Sequence, residues 1–437
     1  MLAVVVAAVL AAAVPQQPEP GPAVPLPPPP GATHAAGPLR LFLDCPTYIC
    51  DLDFMRTEVS FVDYMRDRHD AQVYVLVTTA ETGSGGTEYT LTFIGQEQFT
   101  GLTDTLRFHS LQADGPHQLR RGIARILRLG LARYAAGTPL ADHLDLHYDA
   151  PSSTGPAPAQ SARDPWNNWV FTVGASGFFQ GQQATSSRNL SGRLRANRVT
   201  DRWKINLSAN ANSSHSFYQI DSVNTYTSNN NSYSGNVLVV RSLGPHWSAG
   251  GQGTISSSTF NNTSLRVRGG PALEFDFYPY GESTRRLVTL NYFLGGEYNS
   301  YQDTTIFLKT SEAHPVHSLS LAVSATQPWG NVSVSISASQ YLHDFSKQNV
   351  NFFGGTDLRL VRGLSISFFG SYSIIRDQLY LPKAGATQQD ILAQQQQLAT
   401  SYNYFVSVGL SYTFGSIHNN VVNPRFGGGG GTFFISN

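Results

Sequence analysis

From Trp166 to about residue 416 one pattern recurs: an apolar side chain at every second position, a small or polar one between, and polar loops separating the runs. Trp169, Phe171, Val173, Ala175 and Phe179 alternate with Val170, Thr172, Gly174 and Ser176. Trp203, Ile205, Leu207 and Ala209 alternate with Lys204, Asn206, Ser208 and Asn210. Val332, Val334, Ile336 and Ala338 alternate with Ser333, Ser335, Ser337 and Ser339. Leu364, Ile366, Phe368 and Tyr372 alternate with Ser365, Ser367, Phe369 and Ser371. Successive side chains of a strand point to opposite faces, so a period of two predicts strands with one apolar and one polar face. Twelve such stretches occur, roughly at 166–180, 187–199, 202–213, 232–242, 246–258, 263–278, 285–299, 314–327, 331–343, 350–362, 363–376 and 402–415. Most exceed the ~5–6 residues of an ordinary strand and match the ~9–11 of a strand that crosses a membrane.

Two architectures use such strands. A soluble sandwich buries the apolar face against a second sheet, whereas a transmembrane barrel turns it to lipid and keeps the polar face for its lumen. Length favours the barrel, and so do the connections. Short turns at 199–202, 242–246, 279–284, 327–331 and 361–363 interleave with long polar loops at 213–231, 300–313 and 376–401, the last with a Gln run at 394–397. Short turns on one side and long loops on the other mark outer-membrane barrels, the short ones being periplasmic. The final stretch reads Ser407, Val408, Gly409, Leu410, Ser411, Tyr412, Thr413, Phe414.

That stretch resembles the assembly signal of bacterial outer-membrane proteins, with Gly409, Tyr412 and Phe414 at its Gly and aromatic positions. With the alternation, the region 165–416 resembles a bacterial outer-membrane β-barrel, with no subfamily identified. One feature departs from the signal: 23 residues follow Phe414, where the signal usually ends the chain. They include a Gly run at 427–431 and Phe433 and Phe434. The resemblance implies an all-β transmembrane barrel of about 12 antiparallel strands, contact with outer-membrane lipid, and handling by the barrel assembly machinery. An even strand count places both barrel ends, and whatever precedes the barrel, on the periplasmic side.

Residues 39–148 have a different texture. The stretch 39–45 alternates as a strand, and 53–68 places Met55, Val59, Val62 and Met65 at helical spacing after a candidate cap, Asp51 or Asp53. Strands are predicted at 71–79, 88–94 and 105–111, the first two flanking the Gly-rich 83–86. An amphipathic helix is predicted at 117–136, with Leu119, Ile123, Ile126, Leu127, Leu131 and Tyr134 on one side. Gly122 and Gly130 inside it each cost ~1 kcal/mol relative to Ala. The order β-α-β-β-β-α predicts a small α+β domain with its helices over the sheet.

Residues 2–14 form an apolar run of 13, the length of a signal-peptide core and too short to span a bilayer. Ala11 and Ala13 supply a small-x-small cleavage pattern, although no Lys or Arg precedes Arg40. Residues 15–38 hold ten of the chain's 24 prolines and read as an extended spacer. A second linker occupies 149–164, and 417–437 is a Gly-rich tail. Export also gives the two cysteines a meaning: Cys45 and Cys50, in an oxidising compartment, are expected to close a short disulfide loop, with two buried thiols as the alternative.

Composition narrows the function. The formal net charge is zero, from 29 basic and 29 acidic residues, which argues against a nucleic-acid partner. Only 13% of residues are charged, against ~25% in soluble proteins. If the apolar phase faces lipid, the opposite phase lines a lumen with Arg193, Arg195, Lys204, Arg266, Arg268, Glu274, Asp276, Glu297, Asp357 and Arg359. Such residues make a selective eyelet in an open pore or ion pairs that fill a narrow one. The first reading is a pore or transport barrel for small solutes with a periplasmic accessory domain. The second is a structural barrel whose accessory domain tethers a periplasmic protein or the cell wall. A rim hydrolase using His343 or His314 with a serine is a third class, and no triad stands out among so many serines. No catalytic residues and no cofactor are assigned. His143, Asp145 and His147 alternate as metal ligands can, but no fourth ligand is evident, so no metal is expected. Arg121, Arg125 and Arg128 read as a solvated helix face.

Overall fold

The computed structural model describes residues 38–45, 50–143, 164–219, 223–384 and 398–415. The segment expected to be a signal peptide, nearly all of both expected linkers, Asp145, His147 and the C-terminal tail lie outside the described residues.

The small domain runs β1 (Leu39–Asp44), α1 (Leu52–Glu58), β2 (Val62–Tyr64), β3 (Val73–Glu81), β4 (Thr87–Gly95), β5 (Thr103–His109) and α2 (Pro116–Ala135). Its five strands lie in the order β2-β1-β3-β4-β5, with β1 parallel to both neighbours and the rest antiparallel. One sequence expectation changes here. The helix predicted over 53–68 lasts seven residues; Asp51 caps it, accepting from the Phe54 N–H at 3.0 Å, and it stops at Val59. Val62 and Tyr64 are strand residues opposite Leu39 and Leu41. Val62 and Tyr64 are side-chain types that favour strands, and β1 supplies an edge whose ladder outweighs further helical turns.

Both helices join the strands around one core, in which Leu41, Met55, Val73, Leu91, Phe93 and Leu127 are all 0% exposed. Sequestering each such side chain contributes about 1.5–3 kcal/mol. Gly122 and Gly130 are explained by this packing: a Cβ at either would stand 2.3 Å from the Phe108 ring and 2.0 Å from the Phe93 ring, respectively. The Tyr134 hydroxyl reaches the carbonyls of Phe93 and Leu102 at 3.3 and 3.2 Å. Burial, then the nearby Asp104 carboxylate, pushes its pKa up to about 12.

The remaining strands are β6 (Trp169–Gly181), β7 (Thr185–Val199), β8 (Trp203–Gln219), β9 (Thr225–Ser242), β10 (Trp247–Ser258), β11 (Thr263–Asp276), β12 (Arg286–Tyr301), β13 (Ser311–Gln327), β14 (Gly330–Tyr341), β15 (Asp344–Val361), β16 (Leu364–Ile375) and β17 (Tyr402–Tyr412). They form one antiparallel meander of twelve strands in sequence order, and no ladder joins β6 to β17 among the described residues. Directly opposed residues share a face. Ile336 stands opposite Leu321 and Phe352, and Ser335 opposite Ala322 and Phe353. Following these pairs from β6 to β17 gives one apolar and one polar face. The apolar face is bare: Val173 is 80% and Leu410 71% exposed, and no second sheet covers them among the described residues.

The sheet curls around its polar face. A guanidinium N–H of Arg268 on β11 reaches the Ser339 hydroxyl on β14 at 3.3 Å. Three strand spacings are about 14 Å on a flat sheet, too far for these two side chains to meet.

The connections differ from expectation in three places. The polar stretch 213–231 is mostly strand, because β8 runs to Gln219 and β9 starts at Thr225, with ladder pairs such as Ser213 and Asn231. Backbone pairing does not need an apolar pattern, so strand outlasts the alternation. The connection 342–343 is a tight turn on the long-loop side, and 277–285 carries a single 3-10 turn on the other. The contrast in loop length therefore rests chiefly on the segment 376–401.

Candidate functional site

The register places all ten charged candidates on the polar face. Arg193 pairs with Asn210, Arg195 with Ser208 and Lys204 with Val240. Arg266 pairs with Asn299, Arg268 with Glu297, Glu274 with Asn291 and Asp276 with Thr289. Asp357 pairs with Ser367 and Arg359 with Ser365. They do not form one ring. Arg193, Arg195 and Lys204 stand exposed on β7 and β8, and Asp357 is exposed on β15. Glu274 accepts from Asn291 at 3.4 Å, and Asp276 is buried at the end of β11.

The cluster with defined geometry is centred on Glu297, whose side chain is 1% exposed. Its carboxylate accepts from Arg266 at 2.7 Å, from the Tyr341 hydroxyl at 2.6 Å and from the Asn299 amide at 3.0 Å. Arg268 lies 3.6 Å from the same carboxylate, with its guanidinium 5.1 Å from the centre of the Phe293 ring. Two arginines thus share one carboxylate.

A segment that the sequence did not single out closes over this cluster. Leu379, from the connection between β16 and β17, packs against Phe293, Val316 and Tyr341 of the polar face. Asn262 holds that segment: its amide donates to the carbonyls of Asp303 and Tyr380, both at 2.9 Å. Backbone bonds from Ile306 to Leu381 and from Lys383 to Thr304 complete the attachment. Beneath it is a cavity of about 70 Å³ lined by Arg266, Glu297, Asn299, Tyr341, Asp377 and Leu379. The one sequence signal was Leu379, Tyr380 and Leu381, an apolar island in a polar loop.

Other candidates resolve simply. His314 pairs with Glu312 at 2.7 Å and stacks on His343 with ring centres 3.7 Å apart. Its hydrogen-bond partner is the Glu312 carboxylate, and no serine hydroxyl bonds either imidazole among the described residues. Arg121 and Arg125 are exposed, and Arg128 lies 3.8 Å from Glu58. No cluster of His, Cys, Asp or Glu suited to a metal occurs among the described residues. Gly409 sits opposite Ser367, whose hydroxyl would be 2.4 Å from a Cβ there. The Tyr412 and Phe414 rings stack 5.6 Å apart on the exposed end of the sheet. Cys45 and Cys50 are disulfide-bonded, with Cα atoms 5.9 Å apart, tying the end of β1 to the start of α1.

No protein-family model matches the chain, and no curated relative matches it either. Among solved structures, the chain is similar to the porin NanC in a rhombohedral crystal form, at 11% identity and a TM-score of 0.28, over 56% of this chain and 100% of that one. A likeness that distant adds nothing to the sheet already described.

Arg359 was expected to line a lumen, and the structure gives it a more specific role. Its guanidinium makes a two-pronged pair with Asp44 of the small domain, one arm at 2.5 Å, and lies 5.6 Å from the Phe42 ring centre. The Tyr74 hydroxyl donates to the same carboxylate. Burial, then the Asp44 carboxylate beside it, raises the Tyr74 pKa. Around the neighbouring turn, Arg362 pairs with Asp70, the Gly363 N–H donates to Asp67 at 3.0 Å, and Arg66 donates to the Gly415 carbonyl at 3.1 Å.

Proposed function

We propose that the twelve-stranded sheet closes into an outer-membrane β-barrel that serves as a narrow pore for small solutes, with the small domain on the periplasmic side. One observation carries this reading: the apolar face of twelve long strands has no protein partner among the described residues, and water is a poor solvent for it. Lipid supplies that partner. A bilayer has no water to satisfy a bare sheet edge, so β6 and β17 must then pair. The cluster around Glu297 and the segment carrying Leu379 form the constriction, and its chemistry suits small polar or anionic solutes rather than bulky ones. The protein then acts without a catalytic centre or cofactor. Its partners are outer-membrane lipid and the barrel assembly machinery, which reads the stretch ending at Phe414. A periplasmic protein or the cell wall is a further candidate for the small domain.

A second reading, an occluded structural barrel, is favoured by the filled constriction. Reversal potentials in planar bilayers separate the two. In an open pore, replacing both Arg266 and Arg268 by Gln weakens anion preference while the barrel stays folded. In an occluded barrel the same change leaves Glu297 buried with fewer partners, lowering stability or opening a leak. Unchanged selectivity and unchanged stability would contradict the assignment of this cluster to the constriction.

A further inference from the structure

The contacts between the two folded regions are concentrated at one end of the sheet and are complementary in charge. Three aspartates of the small domain, Asp44, Asp67 and Asp70, meet Arg359, the Gly363 N–H and Arg362. Arg359 projects from the polar face near the end of β15 and is fixed from behind by the Pro328 carbonyl at 3.3 Å. Elsewhere on the small domain, a Cβ built at Gly83 would stand 2.9 Å from Cβ of Val199, so this loop touches the end of β7. The ends of β7 and β15 belong to the same rim of the meander, and once β6 pairs with β17 they stand four strands apart around it, with the contacts at Gly363 and Gly415 between them. A domain seated on that arc, with Asp44 bonded to an arginine that projects from the polar face, overhangs the opening.

The second face of the domain's own sheet points the same way. Both helices share the core on the other face. Yet Tyr74 and Leu76, which alternate with the core residues Val73, Val75 and Val77, are 1% and 2% exposed. The polar anchor of that face is Asp44, shared between Tyr74 and Arg359.

We propose that the small domain is the gate of this pore, latched across its periplasmic mouth by Asp44, Asp67 and Asp70 on the rim formed by Arg359, Arg362 and Gly363. This rests on the reading of the barrel as a pore and adds what regulates it. The latch is built from hydrogen-bonded charges whose arginines stay partly exposed, Arg359 at 36% and Arg362 at 57%, so it releases without unfolding either part, and its release uncovers the polar face.

The full chain in planar bilayers tests the gate. Wild type is expected to show low or brief conductance. Arg359→Asp sets two carboxylates against each other and raises open probability at least tenfold, and adding Asp44→Arg restores the closed behaviour. Equal conductance of all three overturns the gate. Because Arg359→Asp can also perturb assembly, a second variant carries Asp70→Cys with Arg362→Cys. A pair that meets at an arginine's tip holds its Cα atoms beyond direct disulfide reach, so a bis-maleimide with a reducible spacer is used to bridge them. These positions should cross-link in membranes, lock the low-conductance state and open on reduction, with reduced wild type as the control for the native disulfide. Failure to cross-link overturns the docking. A cross-link with no conductance in any variant, reduced or not, overturns the pore reading and the gate with it, while leaving the docking in place.

Discussion

In the small domain, apolar side chains vanish from the surface: Leu91, Phe93 and Leu127 are 0% exposed. In the twelve-stranded sheet, the apolar side chains are the exposed ones, and the polar face is folded inward around charges and hydroxyls. One rule, the exclusion of apolar surface from water, therefore has two solutions in one chain. The first is satisfied within the protein, by a core of helices on a sheet. The second is completed, on the proposed reading, only by lipid. On that reading the domain is able to exist in water and the sheet is not.

The largest expected effect falls on the first solution. Phe93→Ala should cost about 3–5 kcal/mol, because the ring fills the space left by Gly130. Thermal unfolding of the small domain should shift, with the heat-modifiable mobility of the barrel unchanged; joint loss of both would deny the two regions separate cores. The second solution is probed by charge. Leu321 lies on the apolar face between Leu290 and Ile336. Leu321→Arg should cost about 2–4 kcal/mol in a bilayer, while Ser320→Arg on the polar face should cost far less. Equal costs, measured by urea unfolding from lipid vesicles, would break the comparison.

Much of the sheet was legible because alternation is a direct trace of two environments. Val332 to Ser339 reads as a strand from its letters alone, and it is β14. The polar ends of β8 and β9 carried no such trace, since backbone pairing there is indifferent to side-chain type. The short strand Val62–Tyr64 was hidden for the opposite reason: Met55, Val59, Val62 and Met65 fit a helix equally well until β1 offers a ladder. At the candidate site, the ten charged residues could be assigned to one phase, but their grouping could not. That Arg266 and Arg268 share Glu297 depends on register between β11 and β12, and that Arg359 meets Asp44 depends on contact across 315 positions of chain. Asn262 acts through loop geometry that no local pattern encodes, and the apolar island at 379–381 marks a segment without showing what it covers.

Smaller effects sharpen the boundary between the regions. Cys45→Ser should lower the stability of the small domain by about 2 kcal/mol, the loop entropy of so short a closure, and leave the sheet untouched. Calorimetry of the reduced and oxidised protein checks this, and an effect on both regions would show that the disulfide also orders the contact at Asp44. Acid should act at the contact itself. Burial alone would raise the Asp67 pKa, but hydrogen bonds from the His69 backbone and ring and from the Gly363 N–H outweigh it, so the group titrates below the ordinary range. Its contribution is full above about pH 4, the unfolded carboxylate value, and is lost as pH falls through the lowered one. Proteolysis of the small domain should therefore increase on acidification before the sheet loses its mobility shift, and Asp67→Asn should flatten that dependence.

The alternation along β14 offers the most direct test of the assignment to lipid. Single cysteines placed in turn from Val332 to Ser339, in protein reconstituted into vesicles, accept spin labels that the bonded Cys45 and Cys50 do not. Collision with oxygen, which concentrates in lipid, should peak at 332, 334 and 336, and collision with a water-soluble nickel chelate at 333, 335 and 337. Equal exposure of both sets to the nickel chelate would mean that the apolar face meets water, and the membrane barrel would be wrong.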